Sequence, residues 1–198
     1  MSDSSSRVVL SEPESKRLLS SAGIAIPAFS VVTSAEEITL DGRFRFPAVA
    51  KLIATGLSHK SDLGAVRVNL GSVDELRQAV IELESLANRE GLTRSGVLIE
   101  DLIPHDLELF IGAIRDATYG PAITVGLGGI WVEALDDRAM RLLPLDIEQA
   151  SAMLRELRAW PMLQGARGGR AANTAAIAEA IVRIGRLIVD DPQLLELE

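Results

Sequence analysis

The chain has 198 residues, of which 47% are hydrophobic and 24% charged, with a formal net charge of −8, a pI near 4.9 and no cysteine. That composition suits a folded chain with one or two cores and excludes an intrinsically disordered one. The acidity argues against nucleic acid as a partner, which demands a broad basic surface, and the absence of cysteine excludes disulfides, thiolate metal sites and cysteine nucleophiles.

In chain order, the opening Met1-Ser2-Asp3-Ser4-Ser5-Ser6 lacks the basic-then-apolar order of a signal peptide. No apolar run is long enough for a bilayer, so no membrane association is expected and the cytoplasm is the expected compartment. Ser11-Glu12-Pro13-Glu14 is a capping box with proline in the first turn; Leu18 and Leu19 form an apolar stripe, and Gly23 closes the helix. A strand is predicted over residues 29–32, a short helix over 34–39, and a strand carrying Lys51 over 46–53. Residues 65–70 alternate with period two, as a half-buried strand does. Ser72 caps a second helix in which Val73, Leu76, Val80, Leu83 and Ala87 recur at helical spacing, and Gly91 ends it. Strands follow over 97–103 and 107–115, split by Pro104-His105-Asp106, then a turn over 116–120. Further strands are predicted over 122–125 and 130–135, around Gly126-Leu127-Gly128-Gly129, and over 139–145. Asp146 and Gln149 cap a helix reaching about Leu157, residues 164–172 are a Gly/Arg-rich loop, and 174–189 form a last helix with Ile177, Ile181, Ile184 and Ile188 on one face. The pattern is mixed α/β with adjacent strands in the second half, and it lacks the steady strand–helix rhythm of a barrel. Two subdomains meeting near residue 98 are expected.

Three segments carry chemistry. Lys51 lies in an otherwise apolar strand, where an unpaired ammonium is costly. A bound phosphate, a buried carboxylate or exposure at a strand edge would each account for it. Eight residues on, His59-Lys60-Ser61-Asp62 opens a polar loop. It is not a P-loop, because histidine stands where that motif needs glycine before the Lys-Ser pair. The bland alternative is a solvated hairpin loop. Gly126-Leu127-Gly128-Gly129-Ile130-Trp131-Val132-Glu133 is the third segment; Trp131 stands where a dinucleotide fingerprint has its third glycine. Its glycines either let backbone approach a ligand or make a tight turn. Glu100 and Glu108 could grip a ribose or face solvent, solvent being the commoner fate of a carboxylate. Arg141, in an apolar strand, poses the Lys51 question again with a fork suited to phosphate. His105, in a turn beside proline, reads as a surface histidine.

Taken together these segments resemble the ATP-grasp, or beta, part of the NDP-forming acyl-CoA synthetases, the acid–CoA ligases (ADP-forming) related to succinyl-CoA synthetase. The likeness runs from Leu10 to the last residue. It rests on Ser11-Glu12-Pro13-Glu14-Ser15-Lys16, the Lys51 strand with His59-Lys60-Ser61-Asp62, and Glu108-Leu109-Phe110-Ile111-Gly112. Tyr119-Gly120-Pro121, the Gly126 to Glu133 block, Arg141-Leu142-Leu143-Pro144-Leu145 and the Arg-Gly loop complete it in order.

The resemblance implies an α/β (α+β) ATP-grasp fold: a single domain over residues 1–198, with 28–98 as the smaller subdomain, 1–27 plus 99–198 as the larger, and nucleotide between them. It implies that Lys51, with Gly128, Gly129 and Arg141, contacts ATP or ADP, that Glu100, Asp101, Leu102 and Ile103 form the adenine hinge, and that Glu108 holds the ribose. His59 would accept a phosphoryl group from a phosphohistidine on a CoA-binding alpha subunit and pass it to ADP, with Lys60 neutralising phosphoryl oxygens and Asp62 orienting the imidazole. A hetero-oligomer is the implied assembly. Mg2+ is the implied metal. Its family ligands are an asparagine and an aspartate in an Asn-Pro turn and last strand, expected mostly beyond Glu198, with Glu133 or Asp146 as partial substitutes. Two further departures are Ala65 and Asp106, each where the family usually has glycine. The alternatives are a catalytically incomplete nucleotide-binding regulatory or assembly module, and an ATP-grasp ligase of another substrate class such as a carboxylate–amine ligase.

Overall fold

A computed structural model describes residues 8–39, 44–55, 63–129 and 136–197. His59, Lys60, Asp62, Glu133 and the strand expected over 130–135 lie outside the described residues. The chain divides into two compact units, Met1–Ser20 with Ala25–Ile103 and Ser21–Ile24 with Pro104–Glu198. The junction expected near residue 98 therefore falls inside a strand of the first unit, and most of the opening helix belongs to that unit too.

The first unit holds α1 (Glu12–Ser21), β1 (Phe29–Val32), a 3-10 turn (Ala35–Glu37), β2 (Ala48–Ala54), β3 (Val66–Leu70), α2 (Val73–Arg89) and β4 (Arg94–Asp101). Its sheet has the order β1-β4-β2-β3, with every pairing antiparallel. The α1 terminus forms as its sequence dictates: the Ser11 backbone N–H and hydroxyl donate to Glu14 at 2.7 and 2.5 Å. In α2, Ser72 Oγ accepts from the Glu75 N–H, and Leu76, Ala79, Val80, Leu83, Leu86 and Ala87 form the buried stripe. Strand alternation divides the central β2. Ala48, Ala50 and Leu52, with Val97 and Ile99 of β4, join the α2 stripe in one apolar cluster. Val49, Lys51 and Ile53 therefore point to the opposite face, together with Leu98 and Glu100 of β4, because Val49 pairs with Glu100 and Lys51 with Leu98. Gly96 is required where it stands. Its φ of +141° is hostile to a side chain, and a Cβ there would lie 2.8 Å from the Val32 carbonyl oxygen.

The second unit holds β5 (Leu109–Asp116), β6 (Gly120–Leu127), β7 (Arg138–Leu142), α3 (Ile147–Glu156), α4 (Trp160–Leu163), a 3-10 turn (Ala166–Gly168), α5 (Thr174–Asp190) and β8 (Glu196–Leu197). The sheet order is β7-β6-β5-β8, again antiparallel throughout. The β5–β6 turn is tied by the Asp116 carboxylate, which accepts from the Thr118 and Tyr119 N–H groups at 2.8 Å each. Helix α5 buries Ala178, Ile181, Ile184, Gly185 and Ile188. Gly185 allows close approach: a Cβ there would meet Leu143 at 2.7 Å and Ile123 at 3.8 Å. The strand expected to reach residue 145 ends at Leu142, since Pro144 has no N–H to continue a ladder. Helix α4 and strand β8 carry too few residues to show a period. No helix among the described residues is long and apolar enough to cross a membrane.

Candidate functional site

In the first unit, Lys51 sits in an ionic cluster on the sheet face away from α2. Its Nζ lies 2.8 Å from Glu12 Oε1 and 2.7 Å from Glu100 Oε1. Lys16, one helical turn beyond Glu12 in α1, places its Nζ 2.7 Å from Glu100 Oε2 and 3.9 Å from Glu12 Oε1. The Lys16–Glu100 approach is off the hydrogen-bonding direction, so Oε2 has a close opposite charge without an aligned donor. The four side chains sum to zero charge. Burial alone would lower the Lys51 pKa, but hydrogen bonds to Glu100 and then Glu12, with their charges, outweigh it and raise it. The ammonium is thus firmly protonated at neutral pH.

This answers the question that the Lys51 strand posed: in this structure its counterions are carboxylates. Solvent exposure does not account for Glu100, whose side chain is 7% exposed against 24% for Glu12. Strand β4 puts Glu100 one diagonal step from Lys51, within reach of two long side chains. Glu12 and Lys16 were missed as site residues. Their signal was an i, i+4 Glu–Lys pair in the capped helix, which by itself says nothing of a strand 35 or more positions away. The residues expected as a hinge follow Glu100 directly. Asp101 donates its N–H to Ala28 O at 3.2 Å and Leu102 to Pro47 O at 3.1 Å, while the Ile103 side chain is exposed. A small pocket of about 50 Å³ lies beside them, lined by Phe29, Phe44, Arg45, Glu100 and Asp101 among others, an order of magnitude below a typical ligand cleft.

In the second unit, Glu108 is exposed and meets the glycine segment. Its backbone oxygen accepts from the Gly128 N–H at 2.7 Å. A Cβ on Gly129 would come within 2.7 Å of Glu108 Oε2, and one on Gly126 within 2.5 Å of the Phe110 ring. Gly128, Gly129 and Glu108 are therefore brought together; Gly129 has a φ of +68° and a Cβ on Gly128 would lie 3.1 Å from the Glu108 backbone carbon, so both positions favour glycine. The segment is braced by Asp137, which sequence reasoning missed. This buried carboxylate accepts from the Arg158 and Ala159 N–H groups at 2.7 Å each, and its backbone oxygen accepts from Leu127 at 3.0 Å. Its partners are backbone groups 21 and 22 positions downstream, which no residue type announces. Arg141 is held elsewhere: Nη1 donates to Met140 O at 2.8 Å and Nη2 to Glu156 of α3. Among the described residues no group of three or more His, Asp or Glu could hold a metal ion.

The structure presents two antiparallel sheets, one with a strand lysine and the other leading into a carboxylate beside a glycine segment. A family model of the ATP-grasp domain matches residues 2–198, and the chain belongs to that family. It is 38% identical over 192 residues to the beta subunit of acetate–CoA ligase (ADP-forming) I of Pyrococcus furiosus, covering 96% of this chain and 83% of that one. Among solved structures it is 36% identical, with a TM-score of 0.89, to acetyl-coenzyme A synthetase 1 of Ca. Korarchaeum cryptofilum in complex with coenzyme A and Ca-AMPCP, covering 94% of this chain and 83% of that one. A second structure of that enzyme holds coenzyme A and Mg-AMPPCP, with a phosphohistidine segment pointing towards the nucleotide site. It matches at 33% identity and a TM-score of 0.82, covering 96% and 83%.

Proposed function

We propose that this chain is the nucleotide-binding ATP-grasp component of an ADP-forming acid–CoA ligase, working with an alpha partner that binds CoA and carries a phosphohistidine. The observation that carries the reading is similarity over 96% of the chain to a beta subunit of that activity. The reaction is reversible: acyl-CoA, phosphate and ADP give acid, CoA and ATP, through an acyl phosphate. In the thioester-consuming direction the partner's phosphohistidine loses its P–N bond as a new P–N bond forms at His59. That bond then breaks as the terminal oxygen of ADP takes the phosphoryl group. A neutral imidazole is nucleophilic near pH 7, and phosphoryl transfer asks mainly for positioning and charge neutralisation. Lys60 and Asp62 would supply these at His59. Lys51 would be the nucleotide-side cation, residues 100–103 the adenine hinge and Glu108 the ribose ligand. Gly128 and Gly129 would leave room for backbone close to the nucleotide. Arg141, whose Nη2 pairs with Glu156, would join the phosphate ligands by leaving Glu156 or through its remaining N–H donors. The substrates ADP and CoA fit a cytoplasmic setting.

Co-expression with the alpha partner, followed by assay of ATP-dependent CoA thioester formation, tests the reading. Activity is expected, and His59→Ala is expected to abolish it. Full activity in that variant would remove His59 from the relay. ADP binding with no labelling of His59 by the phosphorylated partner would instead favour a regulatory module.

A further inference from the structure

Glu100 is a buried carboxylate with an ammonium on each oxygen. Lys51 Nζ lies 2.7 Å from Oε1, and Lys16 Nζ lies 2.7 Å from Oε2. The Glu100 side chain is 7% exposed and that of Lys16 15%, so water and salt screen their charges little. A second half-desolvated ammonium beside the carboxylate that already faces Lys51 carries its own desolvation cost. The Lys16 contact is not an aligned hydrogen bond, since Oε2 has no donor directed at it. What Lys16 brings to Glu100 is positive charge. The consequence falls on Lys51. A carboxylate shared by two ammoniums neutralises each in part. Facing Lys51 alone, it would cancel that charge and repel an arriving phosphate with nothing to oppose it.

We infer that Lys16 is a positioning residue for the nucleotide-side cation: by balancing the charge of Glu100 at its second oxygen, it leaves Lys51 fixed in place and still able to attract phosphate. Lys16 touches no nucleotide itself and acts through Glu100. This rests on the reading of Lys51 as a phosphate ligand and adds to it a residue of α1. Loss of Lys16 has a definite signature. If Lys16 only pinned α1 to the sheet, or touched the phosphate directly, removing the Glu100 charge as well would not repair its loss. A residue that balances Glu100 becomes dispensable once the charge it balances is gone.

Calorimetric titration of the full chain with ADP reads that signature. Lys16→Met is expected to bind ADP about tenfold more weakly, the size of coupling found between charges of one network. Lys16→Arg keeps the charge and is expected within about twofold of the unaltered chain, as is Lys16→Met combined with Glu100→Gln. Lys16→Met with Glu100→Ala is a second compensated variant, and circular dichroism checks the folding of each. Arg89→Met removes a 69% exposed cation from the last turn of α2 and is expected to change nothing. Adenosine, which has no phosphate, is expected to bind Lys16→Met as it binds the unaltered chain. Restored ADP binding in a folded compensated variant supports the inference. Unchanged ADP binding in Lys16→Met, an equal loss in Lys16→Arg or Arg89→Met, an equal weakening of adenosine, or a loss that persists in the compensated variants overturns it. Lys51→Met separates the two layers. Undiminished ADP binding in that variant, or no ADP affinity in the unaltered chain, overturns the phosphate-ligand reading itself. Loss of binding in Lys51→Met without restoration in the compensated variants overturns the role of Lys16 alone.

Discussion

Lys51 is held by charge, and its removal has consequences for stability as well as binding. Lys51→Met leaves Glu100 Oε1 without its ammonium, although Lys16 still faces the other oxygen at 2.7 Å. A loss of about 1–3 kcal/mol in urea unfolding is expected. Because its partners raise the Lys51 pKa above the ordinary lysine value, this contribution is complete below about pH 10.4 and lost as pH rises through the raised value. The stability gap between the unaltered chain and Lys51→Met should therefore close at strongly alkaline pH; a gap constant with pH would show that lost packing, not charge, accounts for it. Asp116 behaves oppositely. The Tyr119 and Thr118 N–H groups hold its carboxyl below the ordinary range, so its contribution is present at neutral pH and disappears as pH falls through that lowered value. Asp116→Asn should be less stable than the unaltered chain near pH 7 and converge with it in acid.

Elements are positioned by a few backbone-level requirements. Gly96 lets β4 pass the Val32 carbonyl at a positive φ. Gly96→Ala should cost at least about 1–3 kcal/mol by thermal or chemical unfolding, and an unchanged midpoint would mean that the β1–β4 contact relaxes without penalty. Asp137 stitches the end of β6 to the turn entering α4. Asp137→Ala strands two N–H groups, one of them on the buried Ala159, and should cost about 2–3 kcal/mol. Hydrogen exchange should show the loss first at Arg158 and Ala159. Leu83, fully buried in the α2 stripe, reports ordinary core packing; Leu83→Ala should cost about 2–5 kcal/mol.

At the scale of the molecule, each unit is one antiparallel sheet with helices that bury apolar side chains. The first unit carries the lysine and its ionic cluster; the second carries Glu108 and the glycine segment. Neither unit, among its described residues, holds both sets of groups, and the proposed function asks for both. ATP-dependent thioester formation by the complex with the alpha partner is the corresponding test. Activity from the chain without any partner would contradict the division of labour proposed above.

The sequence by itself determined the local elements and the family. Residues 29–32 formed the expected strand, Ser72 and Asp146 capped the expected helices, and the helical stripe of α2 marked its buried face, whereas the alternation over 65–70 did not: β3 forms there, but Val68 is exposed. These follow from interactions within a few residues, which a linear chain displays. The ordered motifs from Ser11 to the Arg-Gly loop were enough to reach the ATP-grasp family. Only the tertiary structure decided what each charge touches. It joined Glu12 and Lys16 of a helix to Lys51 and Glu100 of a sheet, engaged Arg141 with Glu156, and buried Asp137 against backbone N–H groups 21 and 22 positions away. Strand pairing sets the register between distant segments, and a side chain's counterion is fixed only once that register exists.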